Sequence, residues 1–277
     1  MQYQPGAYRH FLIHDPQTRT ISVAPFRDRV VHHALVNVLE PIYERIFIAD
    51  SYATRKGKGT HAAIAQAQRY LHQTGWFLKT DVDKYFDSIR HDVLMGHLER
   101  KIKDRRLLEI TRRIISNGGS DGCGLPIGNL TSQFFANVYL HPLDIFIQQE
   151  LDVKHYIRYM DDFVLFSIDK NVLKSHRSAV TDFLDSQLGL RLKPGATFLN
   201  QAGNGLTFLG RRVFPALVRF ASPNLRRMIK RMAQRETAYT KGFISEEKML
   251  ESMNSYWAAL QYGGNAALRK SLLQEKG

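Results

Sequence analysis

The residues best suited to chemistry are two neighbouring carboxylates, Asp161 and Asp162, with Tyr156, Ile157, Tyr159 and Met160 before them and Phe163, Val164, Leu165 and Phe166 after. Neighbouring carboxylates repel, and apolar flanks deny them the water that would screen the repulsion. A cation must offset the charge, and oxygen-only ligands of this hardness suit Mg²⁺. The aromatic and β-branched flanks read as two strands with the acid pair at their turn. A solvated Asp-Asp turn is the plain alternative, but such turns are usually edged by polar residues. Asp81 supplies a third carboxylate: it ends the run Trp76-Phe77-Leu78-Lys79-Thr80, after which Asp83 to Ser88 turn into a helical pattern. A carboxylate at the carboxyl end of a strand, ahead of a helix, is a usual position for a metal ligand or catalytic group. Three such groups can seat two divalent ions, one to activate a 3′-hydroxyl and one to steady the pyrophosphate leaving a nucleoside triphosphate.

Those groups need a rigid scaffold, and 277 residues can bury one large core or two smaller ones. The formal net charge of +13 points to a polyanionic partner, nucleic acid ahead of an anionic membrane surface. No apolar run reaches the roughly 18 residues of a membrane span. The start, Met1-Gln2-Tyr3-Gln4-Pro5-Gly6, is no signal peptide. A single cysteine, Cys123, excludes an internal disulfide and reads as a small packed residue. These features imply a reducing, cytoplasmic setting and no membrane partner.

The elements follow in order. Tyr8 to His14 and Arg19 to Val23 read as two strands joined by a short turn. From Asp28 to Ile48 apolar residues recur at helical spacing, with Pro41 as a kink or break and His32 and His33 as ordinary helix residues. The basic turn Ser51 to His61 lacks the spacing of a Walker loop, yet its cations suit triphosphate oxygens as well as water. A helix follows from Ala62 to Gln73, and another carries Val93, Leu94, Leu98 and Ile102. Seven cations between Arg100 and Arg113 form either solvated faces or a phosphate-tracking surface. Asn117 to Asn129 is a loop in which Gly124 and Gly128 would let backbone lie against a ligand. It feeds a helix through Thr131, Gln133, Phe135 and Tyr139; later come a helix from Val180 to Leu188 and a hairpin from Leu206 to Val213. Ser222-Pro223 opens a basic helix, Ser245 a second, and a last one follows Gly263-Gly264.

Strand, turn and helix, then a glycine loop with its helix, then an acid hairpin is the order of a polymerase palm, and the chain resembles a reverse transcriptase over nearly all its length. Phe77 to Phe86 resembles the first palm motif, Leu125 to Gln133 the motif gripping template and nucleotide, Tyr159-Met160-Asp161-Asp162 the signature hairpin, and Phe208-Leu209-Gly210 the primer grip. The resemblance implies an α+β right-hand polymerase fold: fingers over 1–75, a palm with inserted segments over 76–221, and a helical thumb over 222–277. It implies an RNA-directed DNA polymerase with Asp81, Asp161 and Asp162 as catalytic metal ligands, the Val82 carbonyl beside them, and two Mg²⁺ ions replaceable by Mn²⁺. Phe86 matches the aromatic gate against a ribose 2′-hydroxyl, Lys193 a lysine near pyrophosphate, and Arg19 and Arg55 the finger cations on the triphosphate. The partners it implies are template RNA, its hybrid with DNA, and deoxynucleoside triphosphates.

Two departures narrow this reading. Many relatives, including those of group II introns, have glutamine where this chain has Ile127 and proline where it has Gln133. The form Gly-x-x-x-Ser-Gln resembles the reverse transcriptases of diversity-generating retroelements, which copy a template RNA with errors at adenines alongside a small oligomeric accessory protein. Replacing an amide by a branched alkyl group deletes a hydrogen bond near the incoming nucleotide, which lowers discrimination. Relatives also carry helices ahead of the finger strands, whereas these strands begin at Tyr8, so the amino-terminal end reads as truncated or unusually short. No ribonuclease H, endonuclease or zinc-finger segment is visible, which would leave strand removal and integration to other proteins. The rival readings are a group II intron, retron-like or defence-associated enzyme, and a catalytically silent palm-shaped RNA-binding scaffold.

Overall fold

The computed structural model describes residues 3–14 and 18–261. The chain forms two compact units: residues up to Ala63 with Trp76–Leu199, and Ile64–Gly75 with the described residues from Asn200 on. In the first unit, β1 (Arg9–His14) and β2 (Thr18–Val23) pair as an antiparallel hairpin. A second sheet has the order β4 (Tyr156–Tyr159), β5 (Asp162–Ser167), β3 (Trp76–Asp81), β6 (Phe198–Gln201), and the chain leaves the first unit within β6. Phe163, Val164, Leu165 and Phe166 are all buried, so β5 is covered on both faces and reads as a continuous apolar run.

Helices supply that cover. α1 (Phe26–Glu44), α4 (His91–Lys101) and α6 (Leu130–Ile145) pack on one another around Leu39, Leu98, Phe135 and Tyr139. Between them run α3 (Tyr85–Ser88) and α5 (Arg105–Ser116), the latter started by Asp104, whose carboxylate accepts from the Arg106 and Leu107 N–H groups. α7 (Lys170–Phe183) lies on β3 and β5. It begins ten residues before the start expected at Val180, because Asp169 caps it by accepting from the Asn171 N–H. A π-helical turn, Leu184–Leu188, ends it on Gly189 at φ +62°. Pro41 does not break α1: the helix runs one further turn with the proline exposed. α2 (Thr60–Gln73) spans the boundary between the units.

The second unit departs from the expected division at 222. β7 (Leu206–Phe208), β8 (Arg211–Val213) and an unforeseen β9 (Val218–Phe220) form a three-stranded sheet. α8 (Ser222–Thr240) and α9 (Glu246–Gln261) pack together. Arg211 stacks 3.8 Å over Phe220 and donates to the Ala259 carbonyl at 2.9 Å, which ties sheet to helices. So small a sheet cannot bury its own face, so it shares a unit with the helical tail. A boundary does fall between Gly75 and Trp76, but the residues up to Ala63, with the β1–β2 hairpin and α1, group with the palm sheet, and only Ile64–Gly75 group with the second unit. The helix expected after Gly264 lies outside the described residues. No helix among those described is long and apolar enough to cross a membrane.

Neighbouring positions on α1 provide a test. Leu39 is fully buried and Val38 is 53% exposed. Leu39→Ala is expected to lower unfolding free energy by about 2–5 kcal/mol and Val38→Ala by less than about 0.5 kcal/mol in chemical denaturation.

Candidate functional site

The acid pair is positioned by hairpin geometry. β4 and β5 pair Tyr159 with Asp162, leaving Met160 and Asp161 as a two-residue loop. Met160 has φ +55°, a left-handed conformation that costs a non-glycine residue energy and is kept where surrounding contacts enforce it. On the other side of β5, Asp81 stands directly opposite Asp162 in antiparallel register. The structure therefore brings all three predicted carboxylates to one end of the sheet.

Their electrostatics follow from this crowding. Burial and the Asp81 charge push the Asp161 pKa up, while Arg19 and Lys193 pull it back. Burial above all raises Asp162 to about 7, with Asp81 and Asp161 adding to the rise and Lys79 opposing it. Lys79 is a participant the sequence reading missed. Its ammonium lies 3.2 Å from Asp162 Oδ1, with side-chain exposures of 15% and 20%. The signal was available: Lys79 and Asp81 are two apart on one strand and so share a face.

The other predicted residues divide. Lys193 lies beside the trio, its N–H donating to the Asp81 carbonyl at 2.8 Å, while Asp83 donates to the Arg191 carbonyl at 2.8 Å. Val82 is buried between these bonds, bridged to Leu192. Arg19, exposed on β2, acts on Asp161 and also lines a cavity of about 500 Å³ with Tyr8, His10, Asp87, Asn117 and Ile127. The carboxylate trio itself does not line that cavity. Phe86 is half-buried, edge-on to Tyr85, and its carbonyl accepts from the Leu125 N–H at 2.8 Å, which fixes the loop carrying Ile127. Gln133 sits half-buried in the first turn of α6.

Two expectations are corrected. Arg55 does not reach toward the site: its guanidinium forks onto Glu44 (2.8 Å), donates to the Ile48 and Ser51 carbonyls at 2.6 and 2.8 Å, and lies over Phe47. With its side chain 6% exposed it ties the end of α1 to the basic turn. Gly128 serves chain packing, and Gly124 packs against the chain while also lining the cavity. A Cβ on Gly128, at φ +112°, would come 2.7 Å from Ile21 Cγ2 and 3.2 Å from the Ser22 carbonyl. One on Gly124 would meet Gly119 Cα at 3.3 Å and the Asp87 carbonyl at 3.5 Å. The close fit at Gly128 lets Ser22 donate to the Ile127 carbonyl at 2.8 Å and Asn129 donate to that of Ser22 at 2.9 Å.

The donor set suits a hard divalent cation. All three groups are carboxylates, and burial, with mutual repulsion adding to it, raises two of them. Asp162 Oδ1 is out of water, and its 3.2 Å contact with Lys79 is off the alignment of a hydrogen bond. As they stand, no three His, Cys, Asp or Glu side chains among the described residues close around one ion. The Asp162 carboxylate is turned onto the Lys79 ammonium.

An antiparallel sheet with three carboxylates at one end, covered by helices, is the architecture of the right-hand polymerase fold. The reverse transcriptase (RNA-dependent DNA polymerase) family model matches residues 13–212, and the chain belongs to that family. It is 26% identical over 257 residues to protein YkfC of Escherichia coli K12, covering 76% of this chain and 68% of that one. It is 29% identical over 157 residues to the group II intron-encoded protein LtrA of Lactococcus lactis, covering 53% of this chain and 26% of that one. It is 35% identical over 146 residues to the 91 kDa protein in the cob intron of Schizosaccharomyces pombe, covering 49% and 18%. Among solved structures, telomerase from Candida tropicalis with a fragment of telomeric RNA superposes with a TM-score of 0.61 at 14% identity, covering 94% of this chain and 55% of that one. The chain thus spans about a quarter or less of the length of the two intron proteins and about half of the telomerase.

The raised Asp162 pKa has a consequence for stability. Between about pH 4, where an unfolded aspartate titrates, and about pH 7 the native state holds a proton that the unfolded state lacks. Stability therefore falls as pH rises through that window. His97 works the other way, since burial pushes its pKa down to about 4. The difference between wild type and Asp162→Asn isolates the aspartate. In calorimetry with a chelator, the wild-type Tm is expected to fall relative to that of Asp162→Asn between pH 4 and pH 7; parallel profiles would contradict the assignment.

Proposed function

We propose that this chain is the catalytic core of an RNA-directed DNA polymerase that extends a primer 3′-end on a template RNA. The observation that carries this reading is the placement of Asp81 opposite Asp162 and next to the Asp161 turn. In the reaction the primer 3′-oxygen attacks the α-phosphorus of a deoxynucleoside triphosphate, and the bond to pyrophosphate breaks. Asp81, Asp161 and Asp162, with the Val82 carbonyl beside them, would hold divalent ions, which would supply charge for activating the hydroxyl and offsetting the leaving group. To ligate such an ion, Asp162 would give up its contact with Lys79. Arg19 and Lys193 already bear on Asp161, and they hold positive charge where triphosphate oxygens arrive. Phe86 and Ile127 sit on segments joined by the Leu125 N–H, so the gate against a 2′-hydroxyl and the wall beside the incoming base form one rigid piece.

Within the family, Ile127 and Gln133 favour an error-prone enzyme of the diversity-generating type, with a small oligomeric accessory partner. The similarity to LtrA favours a second reading, an intron-type enzyme. Primer extension with Mg²⁺ on a defined RNA tests the activity: wild type extends, and Asp161→Asn with Asp162→Asn reduces extension to background. Extension by neither protein would leave an RNA-binding scaffold. Sequencing the product tests the subtype. Ile127→Gln is expected to lower misincorporation about tenfold, the order of one polar contact at the base. Faithful wild-type copies, or error rates unchanged by the substitution, would favour the intron-type reading.

A further inference from the structure

Arg158, two residues before the Met160-Asp161 loop, heads the large side chains that are wholly buried among the described residues. Its guanidinium is divided among three partners. Nε and Nη2 fork onto Asp144 of α6 at 2.7 and 2.6 Å. Nη1 donates both to Asn137 Oδ1 at 3.0 Å and to the Met160 carbonyl at 3.2 Å. Asn137 and Asp144 are seven residues apart, two turns along one face of α6, which makes them a matched cradle. The cradle is held in turn: Tyr156 donates to Asp144 at 2.8 Å, and Asn137 donates to the Ala53 carbonyl at 2.9 Å and to Thr54 at 3.1 Å. The Arg158 backbone joins the same finger turn, donating to the Asp50 carbonyl and accepting from the Tyr52 N–H, each at 2.9 Å.

Charge neutralisation of Asp144 would explain the fork but not the third bond. The Met160 carbonyl belongs to the residue held at φ +55°, and its neighbour is Asp161. We infer that Arg158 is a positioning residue: anchored by Asp144 and Asn137, it fixes the strained Met160 peptide and so sets where Asp161 stands against Asp81. The inference rests on the polymerase reading for its effect on rate, but its effect on the turn does not. A planar fork can satisfy two carboxylate oxygens and a carbonyl together, which an ammonium cannot. A buried ion pair also adds little net stability compared with well-packed apolar groups, so removal of both charges leaves a folded protein in which the turn has lost its clamp.

The test uses the full chain in two forms. Arg158→Met, Asp144→Leu and Tyr156→Phe together remove the charges without stranding the tyrosine hydroxyl, and Arg158→Lys keeps one charge opposite Asp144. Two quantities are read: hydrogen exchange of amides 159–163, and steady-state extension at saturating Mg²⁺. The triple variant is expected to keep a cooperative thermal transition. Its turn amides should exchange about tenfold or more faster, as loss of one charge-assisted bond implies. Its kcat should fall about 100-fold, as for an ångström displacement of a reacting group, with the KM for nucleotide within about twofold. Arg158→Lys should show the same pattern, and it decides on both readouts if the triple variant does not fold. Wild-type exchange at the turn together with wild-type kcat in the folded variant would overturn the inference and reduce Arg158 to a counter-ion. If the wild type itself extends no primer, the polymerase reading fails, and unchanged turn exchange then overturns the positioning role separately.

Discussion

The constraint on which this structure turns is the mutual repulsion of three carboxylates held at one end of a sheet. Left to itself such a cluster would spread into solvent. Here the antiparallel register of β3 against β5 sets Asp81 opposite Asp162, and that register is fixed by the buried residues of both strands. A slip of one residue would turn Asp81 to the other face. Burial above all, with the repulsion adding to it, raises the Asp162 pKa, and an ammonium, Lys79, is drawn onto the carboxylate from the same strand face.

Much of the surrounding architecture holds that arrangement in place. Both faces of β5 are covered, so the acids cannot move with the edge of a loose sheet. The Arg158 network joins the turn to α6 and to the finger turn through groups that have few other ways to be satisfied in a dry interior. The loop before α6 is locked between β2 and the residues following β3 by backbone bonds and by the tight approach at Gly128. Strain at Met160 and crowding of charge are thus local costs borne where chemistry would need them.

The sequence made the trio legible because carboxylates inside apolar runs are hard to explain otherwise, and because a strand-turn-helix pattern marked the end on which Asp81 falls. Residues whose meaning depends on a distant partner were less readable. Arg55 in a basic turn looks alike whether it meets phosphate, water or Glu44; only tertiary structure showed Glu44 eleven residues back on α1. Gly128 fits a ligand-facing or a chain-facing role equally until β2 is seen against it. Lys79 could have been found by counting along β3, and Asp144 and Asn137 by counting along α6. The pairing of Arg158 with that stripe needed the fold. The boundary at about residue 200 was hidden because the bond from Arg211 to the Ala259 carbonyl leaves no mark on composition.

The central claim is that Asp81, Asp161 and Asp162 bind divalent cation jointly. Calorimetric titration of Mn²⁺ into the metal-free protein near pH 7, repeated in buffers of different ionisation enthalpy, tests it without primer or template. The account predicts saturable binding with release of up to about half a proton per site at that pH, since Asp162 titrates at about 7, and loss of that binding in Asp81→Asn. Mn²⁺ binding of equal affinity in Asp81→Asn, or none in the wild type, would contradict it.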